Sequence, residues 1–110
     1  MVLVACLHGV LNALRERSGS GAVDELLAAF NELLPEVHAE AGCIAYVPTV
    51  DAVTGIDRQA PVDPDAITIM EQWESLDYLR AHLKAQHMLD FRSRFGHLMD
   101  GADLRILVER

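Results

Sequence analysis

The stretch Ala66-Ile-Thr-Ile-Met-Glu-Gln-Trp-Glu-Ser75 decides the fold. Its alternation predicts a strand over residues 66–74, with Ile67, Ile69, Glu71 and Trp73 on one face and Thr68, Met70, Gln72 and Glu74 on the other. Ser75 then stands where a helix N-cap belongs, and Asp77 lies in the first turn, where a carboxylate meets the positive end of the helix dipole. Leu76, Leu79 and Leu83 give the helix an apolar stripe. Phe91, Phe95 and Leu98 continue that stripe with a change of phase near Gln86, which predicts two helical pieces. Gly101 reads as a break, and Leu104 to Val108 as a last strand.

Upstream, Val2 to Val10 is a strand whose two faces are both mostly apolar, as in a strand covered on both sides. Ser18-Gly19-Ser20-Gly21 interrupts the chain. Val23, Leu26, Leu27, Phe30, Leu33, Leu34 and Val37 recur at helical spacing. Asp24, Glu25, Glu32, Glu36 and Glu40 occupy much of the rest, and residues 18–57 hold no Lys or Arg, so this helix shows water an acidic face. Pro35 lacks an amide proton and crowds the carbonyl of Asn31, which predicts a kink or a short second helix. Gly42 ends the helical stretch, and Cys43 to Val50 reads as a strand. Residues 49–65 hold two Pro, one Gly and four Asp, a long connection of the kind that often covers something or carries function.

The order β-α-β-β-α-β predicts an α+β, ferredoxin-like fold: a four-stranded antiparallel sheet with its helices on one face. The other face needs cover, and with the apolar first strand this predicts a homodimer. At 110 residues and 12.1 kDa the chain is expected to be one domain, residues 1–110. A composition 51% hydrophobic and 24% charged excludes a disordered chain. Nine Lys and Arg against 17 Asp and Glu give a net charge of −8, which repels phosphate backbones and anionic lipid. Nucleic acid and membrane surfaces are therefore not expected as partners. No apolar run approaches the roughly 20 residues that span a bilayer. The apolar start, Met1 to Leu7, has no preceding Lys or Arg, and the first basic residue is Arg15; it reads as a strand, and the protein as cytoplasmic.

Glu71 and Trp73 are the sharpest chemical feature. If their face packs on the helices, Glu71 is a carboxylate in an apolar setting, where burial raises its pKa and fits it for acid or base work. The bland alternative is a rim carboxylate paired with an Arg, beside a core Trp. His82 and His87 would diverge by about 140° on a continuous helix, but a break near Gln86 brings both to one cavity, as a base and its partner. Taken singly, each also reads as a surface or helix-end histidine. Neither pair nor spacing matches a zinc protease, and His38-Ala39-Glu40 lacks the Pro-Cys-x-x-Cys that completes a deaminase site. Cys6 and Cys43 read as buried free thiols. No glycine-rich phosphate loop occurs. These readings predict no metal, no flavin and no other cofactor.

Three stretches together, Glu40-Ala-Gly-Cys-Ile-Ala-Tyr46, Ala66 to Ser75 and Ala81-His-Leu-Lys-Ala-Gln-His-Met88, resemble the antibiotic biosynthesis monooxygenase superfamily. Tyr46-Val-Pro-Thr-Val-Asp51 and Met70-Glu-Gln-Trp-Glu-Ser75 are most similar to its bacterial quinol monooxygenases. The resemblance spans roughly residues 22–108 and implies a dimeric ferredoxin-like fold that oxidises quinols or related polycyclic aromatics with O₂ and no cofactor. Carried onto this chain, it implies His82, Glu71 and Trp73 as catalytic residues, with Tyr46 and His87 matching the quinol-type members. His82 is the expected base, since imidazole is available neutral at pH 7. Glu71 would orient it or bind a quinol hydroxyl, Trp73 and Tyr46 would wall the ring, and Leu79, Met88, Phe91 and Phe95 would line the pocket with His87. The segment Asn12 to Gly21 departs from the family, and Asn12 lies beyond the strand in which haem-degrading relatives carry an Asn. The alternatives are an isomerase of a small phosphorylated signal metabolite, using the Arg80 to Arg94 cluster, and a non-catalytic ligand-binding dimer.

Overall fold

The computed structural model describes the backbone of residues 2–10 and 21–108 and the side chains of residues 22–99 and 102–108. The Ser18-Gly19-Ser20 break, Asn12 and the side chain of Cys6 lie outside the described residues. The elements run β1 (Val2–Val10), α1 (Gly21–His38), β2 (Cys43–Thr49), β3 (Ala66–Trp73), α2 (Leu76–Lys84), α3 (Gln86–Phe95), a 3₁₀ turn (Gly96–Leu98) and β4 (Met99–Val108). The sheet order is β2-β3-β1-β4 and every pairing is antiparallel. That is the order the ferredoxin-like connection produces, with the two β-α-β halves interleaved.

The alternation of β3 is realised as a division of environments. Ile67, Ile69, Glu71 and Trp73 are buried, while Met70 on the opposite face is exposed. Above the buried face, α1 contributes Val23, Leu26, Phe30, Leu33 and Val37, and the later helices contribute Leu79, Met88 and Phe91 to the same core. Phe30 and Phe91 meet with ring centroids 4.5 Å apart, joining α1 to α3.

Three local expectations change. Pro35 does not divide α1, which is continuous to His38. The residue falls in the last turn and is exposed, so the missing N–H costs one bond near a helix end, and the Pro35 carbonyl still accepts from Ala39 N at 3.2 Å. Gly101 does not break the chain either; it lies inside β4, paired with Gly9 beside an irregularity in the β1–β4 register, so the strand starts at Met99. The 50–65 connection is exposed over most of its length and lines neither of the two cavities described below. It is held by its own polar contacts, with Gln59 Nε2 donating to the Ala52 carbonyl at 2.6 Å and Asp63 N to Asp51 Oδ2 at 2.9 Å.

Two turns position the chemistry. Between α1 and β2, Gly42 takes φ +79, and a Cβ there would overlap the Tyr78 ring. Between α2 and α3, Ala85 is extended (φ −61, ψ 142); its N–H donates to the His82 carbonyl at 3.1 Å and its own carbonyl accepts from Met88 N at 3.0 Å. Ser75 caps α2 as its sequence position suggests, accepting from Tyr78 N.

Candidate active site

His82 is in the last turn of α2, 2% exposed, and its ring lies among groups from β2, β3 and the turn after α1. Nδ1 is 2.8 Å from Glu40 Oε2. Nε2 is 3.8 Å from Glu71 Oε1, too long for a hydrogen bond. The Trp73 ring packs against the imidazole at 4.7 Å between centroids, and the Tyr46 ring meets it edge-on at 5.5 Å. Tyr46 and Glu71 are direct register partners on β2 and β3, so the pleat aims both to the helix side. The register shift between Cys43 and Ala45 precedes that pair.

His87 joins the cluster because the chain turns at Ala85. Its Nε2 is 2.7 Å from the same Glu40 Oε2. An ionised carboxylate only accepts, so both imidazoles donate to Glu40. His82 then carries its proton on Nδ1 and its lone pair on Nε2, the nitrogen directed toward Glu71. Glu71 is 4% exposed, and its Oε1 accepts from Trp73 Nε1 at 2.9 Å.

A cavity of about 220 Å³ opens beside these groups. His82, Glu71 and Tyr46 form its polar end, and Phe30, Leu83, Met88, Phe91, Met99, Ala102 and Leu104 its apolar walls, with Arg92 at one side. A largely apolar cavity lined also by one imidazole, one carboxylate and one phenol suits an aromatic ring carrying hydroxyl groups.

The expected lining is corrected at four positions. Tyr46, Met88 and Phe91 line the cavity, but Leu79 is buried in the core. Trp73 does not wall the cavity; it backs the imidazole and fixes Glu71. His87 and Phe95 lie instead on a second cleft, of about 380 Å³, with Glu32, Glu36, Asp90 and Arg94. Cys43 is half-buried rather than fully buried. Its thiol is pushed up from the ordinary range, first by burial and then by the negative charge of Glu40 and Glu71.

Sequence reasoning missed Glu40 as a site residue. It lies in the turn after α1, on what reads as a solvated acidic face, yet its side chain is only 12% exposed. Its one signal is its place at the head of the Glu-Ala-Gly-Cys stretch. No zinc-site spacing marks these residues in the sequence, yet the fold brings ligand atoms of Glu40, His82 and His87 within 4.8 Å of one another.

The family profile of the antibiotic biosynthesis monooxygenases matches residues 10–94. The chain belongs to the antibiotic biosynthesis monooxygenase family. It is 39% identical over 79 residues to the probable quinol monooxygenase YgiN of Escherichia coli K12, covering 72% of this chain and 75% of that protein. The YgiN sequence of Shigella flexneri matches equally. Among solved structures, Rv0793 of Mycobacterium tuberculosis superposes with a TM-score of 0.73 at 20% identity, over 99% of this chain and 94% of that one. A conserved protein of Methanosarcina mazei gives 0.76 at 18% identity, over 99% and 92%. These last two likenesses concern the fold.

Proposed function

We propose that this chain, acting as one domain of a homodimer, is a cofactor-independent oxidase or monooxygenase of quinols and related polycyclic aromatics. The observation that carries the reading is the orientation of His82. Glu40 holds its Nδ1, which leaves Nε2 as the basic nitrogen at the polar end of an apolar cavity. The likeness to YgiN supplies the substrate class.

The chemistry has a spin requirement. Ground-state O₂ is a triplet and does not take an electron pair directly from a closed-shell ring. A hydroquinone anion can give it one electron. His82 Nε2 takes a ring hydroxyl proton, and the anion passes one electron to O₂. The semiquinone and superoxide then either recombine at carbon and, with the proton returned by His82, give a hydroperoxide that loses water to leave the oxygenated quinone, or the semiquinone passes a second electron and its remaining hydroxyl proton to superoxide and the His82 proton completes hydrogen peroxide beside the quinone. The protein binds the ring, removes the proton and keeps water from the radical pair. Glu71, fixed by Trp73, accepts a hydrogen bond from the second hydroxyl, and Tyr46 sets the end of the slot.

Of the Arg80 to Arg94 cluster only Arg92 reaches the cavity: Arg80 pairs with Asp77 at 2.9 Å and Arg94 lines the other cleft. A phosphate site is built from converging arginines or backbone amides, so the isomerase reading gains no support. The homodimer is supported by the outer sheet face, where Val47, Met70 and Leu107 are about half-exposed and no helix among the described residues lies over them. No helix among the described residues is long and apolar enough to cross a membrane.

The test is oxygen uptake with a reduced naphthoquinone, corrected for autoxidation. Acceleration proportional to enzyme concentration is expected. Saturable ring binding with no acceleration would replace this reading with that of a non-catalytic binding protein.

A further inference from the structure

We propose that Glu40, His82 and His87 form a binding site for a divalent transition cation of the zinc class, fed by the acidic cleft on the far side of His87. Loading this site switches off the base. Binding itself stands apart from the functional reading above; the inhibition rests on it.

Three observations converge. The ligand set, two imidazoles and one carboxylate, is that of catalytic zinc sites with an open fourth position. The ligand atoms already converge: His82 Nδ1 and His87 Nε2 lie 2.8 and 2.7 Å from Glu40 Oε2, and all three are within 4.8 Å of one another. Around a tetrahedral cation with bonds of about 2.1 Å, ligand atoms sit roughly 3.4 Å apart, so small side-chain shifts suffice to admit the ion. The third observation is an entry route. His87 is 23% exposed and lines the cleft of about 380 Å³ together with Glu32, Glu36 and Asp90, where Arg94 is the opposing cation among the described residues. Such a cleft concentrates cations at its mouth.

The consequence follows from the tautomer. With no metal, the His82 proton is on Nδ1 and the lone pair on Nε2. A metal ion takes the lone pair of Nδ1, so the proton moves to Nε2, and the nitrogen directed toward the cavity can no longer accept one. No redox change is involved. The metal-bound and base-competent forms of His82 exclude each other.

The experiment uses chelator-treated, dialysed full-length protein. Zn²⁺ is titrated against a chromogenic chelator, and Co²⁺ is added to read coordination from its visible spectrum. One metal per chain is expected, with the intense bands of four-coordinate Co²⁺ and thermal stabilisation that grows with free zinc. His87→Ala and Glu40→Gln, each checked for fold by circular dichroism, should weaken binding by at least about 10-fold. His97→Gln and Cys43→Ser, which change an exposed histidine and the neighbouring thiol, should leave it unchanged. Quinol oxidation should fall in step with occupancy and return on chelation. Lack of stoichiometric binding, equal binding by both ligand variants, or full turnover by the loaded protein would overturn the proposal. Lack of turnover in metal-free protein would instead overturn the quinol reading, and the binding measurements would still decide the metal site.

Discussion

Glu40 Oε2 holds two imidazoles at once, and that contact determines which nitrogen of His82 carries the proton. Glu40→Gln keeps the shape but replaces an obligate acceptor by a group that can also donate, so both tautomers of His82 become accessible. Quinol turnover should fall by about 10-fold or more with little change in KM, because the cavity walls are untouched; steady-state oxygen uptake reads both. The same carboxylate acts on Cys43, whose thiol is pushed up by burial, Glu40 and Glu71. A raised pKa means less thiolate at a given pH. Alkylation of Cys43 near pH 8 should be slower than for a free cysteine, should accelerate as pH rises, and should be faster in Glu40→Gln; mass spectrometry of the tryptic peptide measures all three. None of this was legible from a Glu in an acidic run. The burial that matters is created by α2 and α3, which cross the turn more than forty residues later in the chain.

At the scale of elements, the readable signals were those with a local cause. The alternation of β3, the Ser75 cap and the phase change resolved as the Ala85 break all arise within a few residues. Pro35 and Gly101 misled because each was read as punctuation, whereas position decides: a proline in the last helical turn costs one bond, and a glycine facing Gly9 sits within a strand. The cavity lining was hardest to read. Leu79 and Phe95 share the apolar pattern of Met88 and Phe91, and only packing sorts them into core, cleft and cavity. Gly42 carries the sharpest stability prediction. Ala there must hold a left-handed backbone, costing about 1–2 kcal/mol, and must also displace the Tyr78 ring. Gly42→Ala should lower the melting temperature by roughly 5–15 °C in a thermal scan. The same turn carries Glu40, so turnover should also suffer at temperatures where the variant remains folded.

Among the described residues, the sheet has one face under helices and one face without. Val47, Met70 and Leu107 lie on the uncovered side, while Leu104, Ile106 and Val108 project from β4 on the helix side and are also about half-exposed. Leu104 is also a wall of the cavity, so the cavity adjoins this apolar edge. Burial of these residues against a second copy would stabilise the dimer by the apolar area removed from water. Sedimentation should show a species of twice the chain mass at micromolar concentration, and Met70→Lys should shift it toward the single chain.

In the proposed reaction, His82 Nε2 takes the substrate proton. The most direct measurement is autoxidation-corrected oxygen uptake with a reduced naphthoquinone, comparing His82→Ala with the parent protein, both freed of metal. His82→Ala should turn over about 10²–10⁴-fold more slowly with ring binding retained, and added imidazole should rescue it in part by restoring a base in the vacated space. Near-normal turnover in folded His82→Ala would contradict that proton transfer and leave the protein with only desolvation and positioning of the ring.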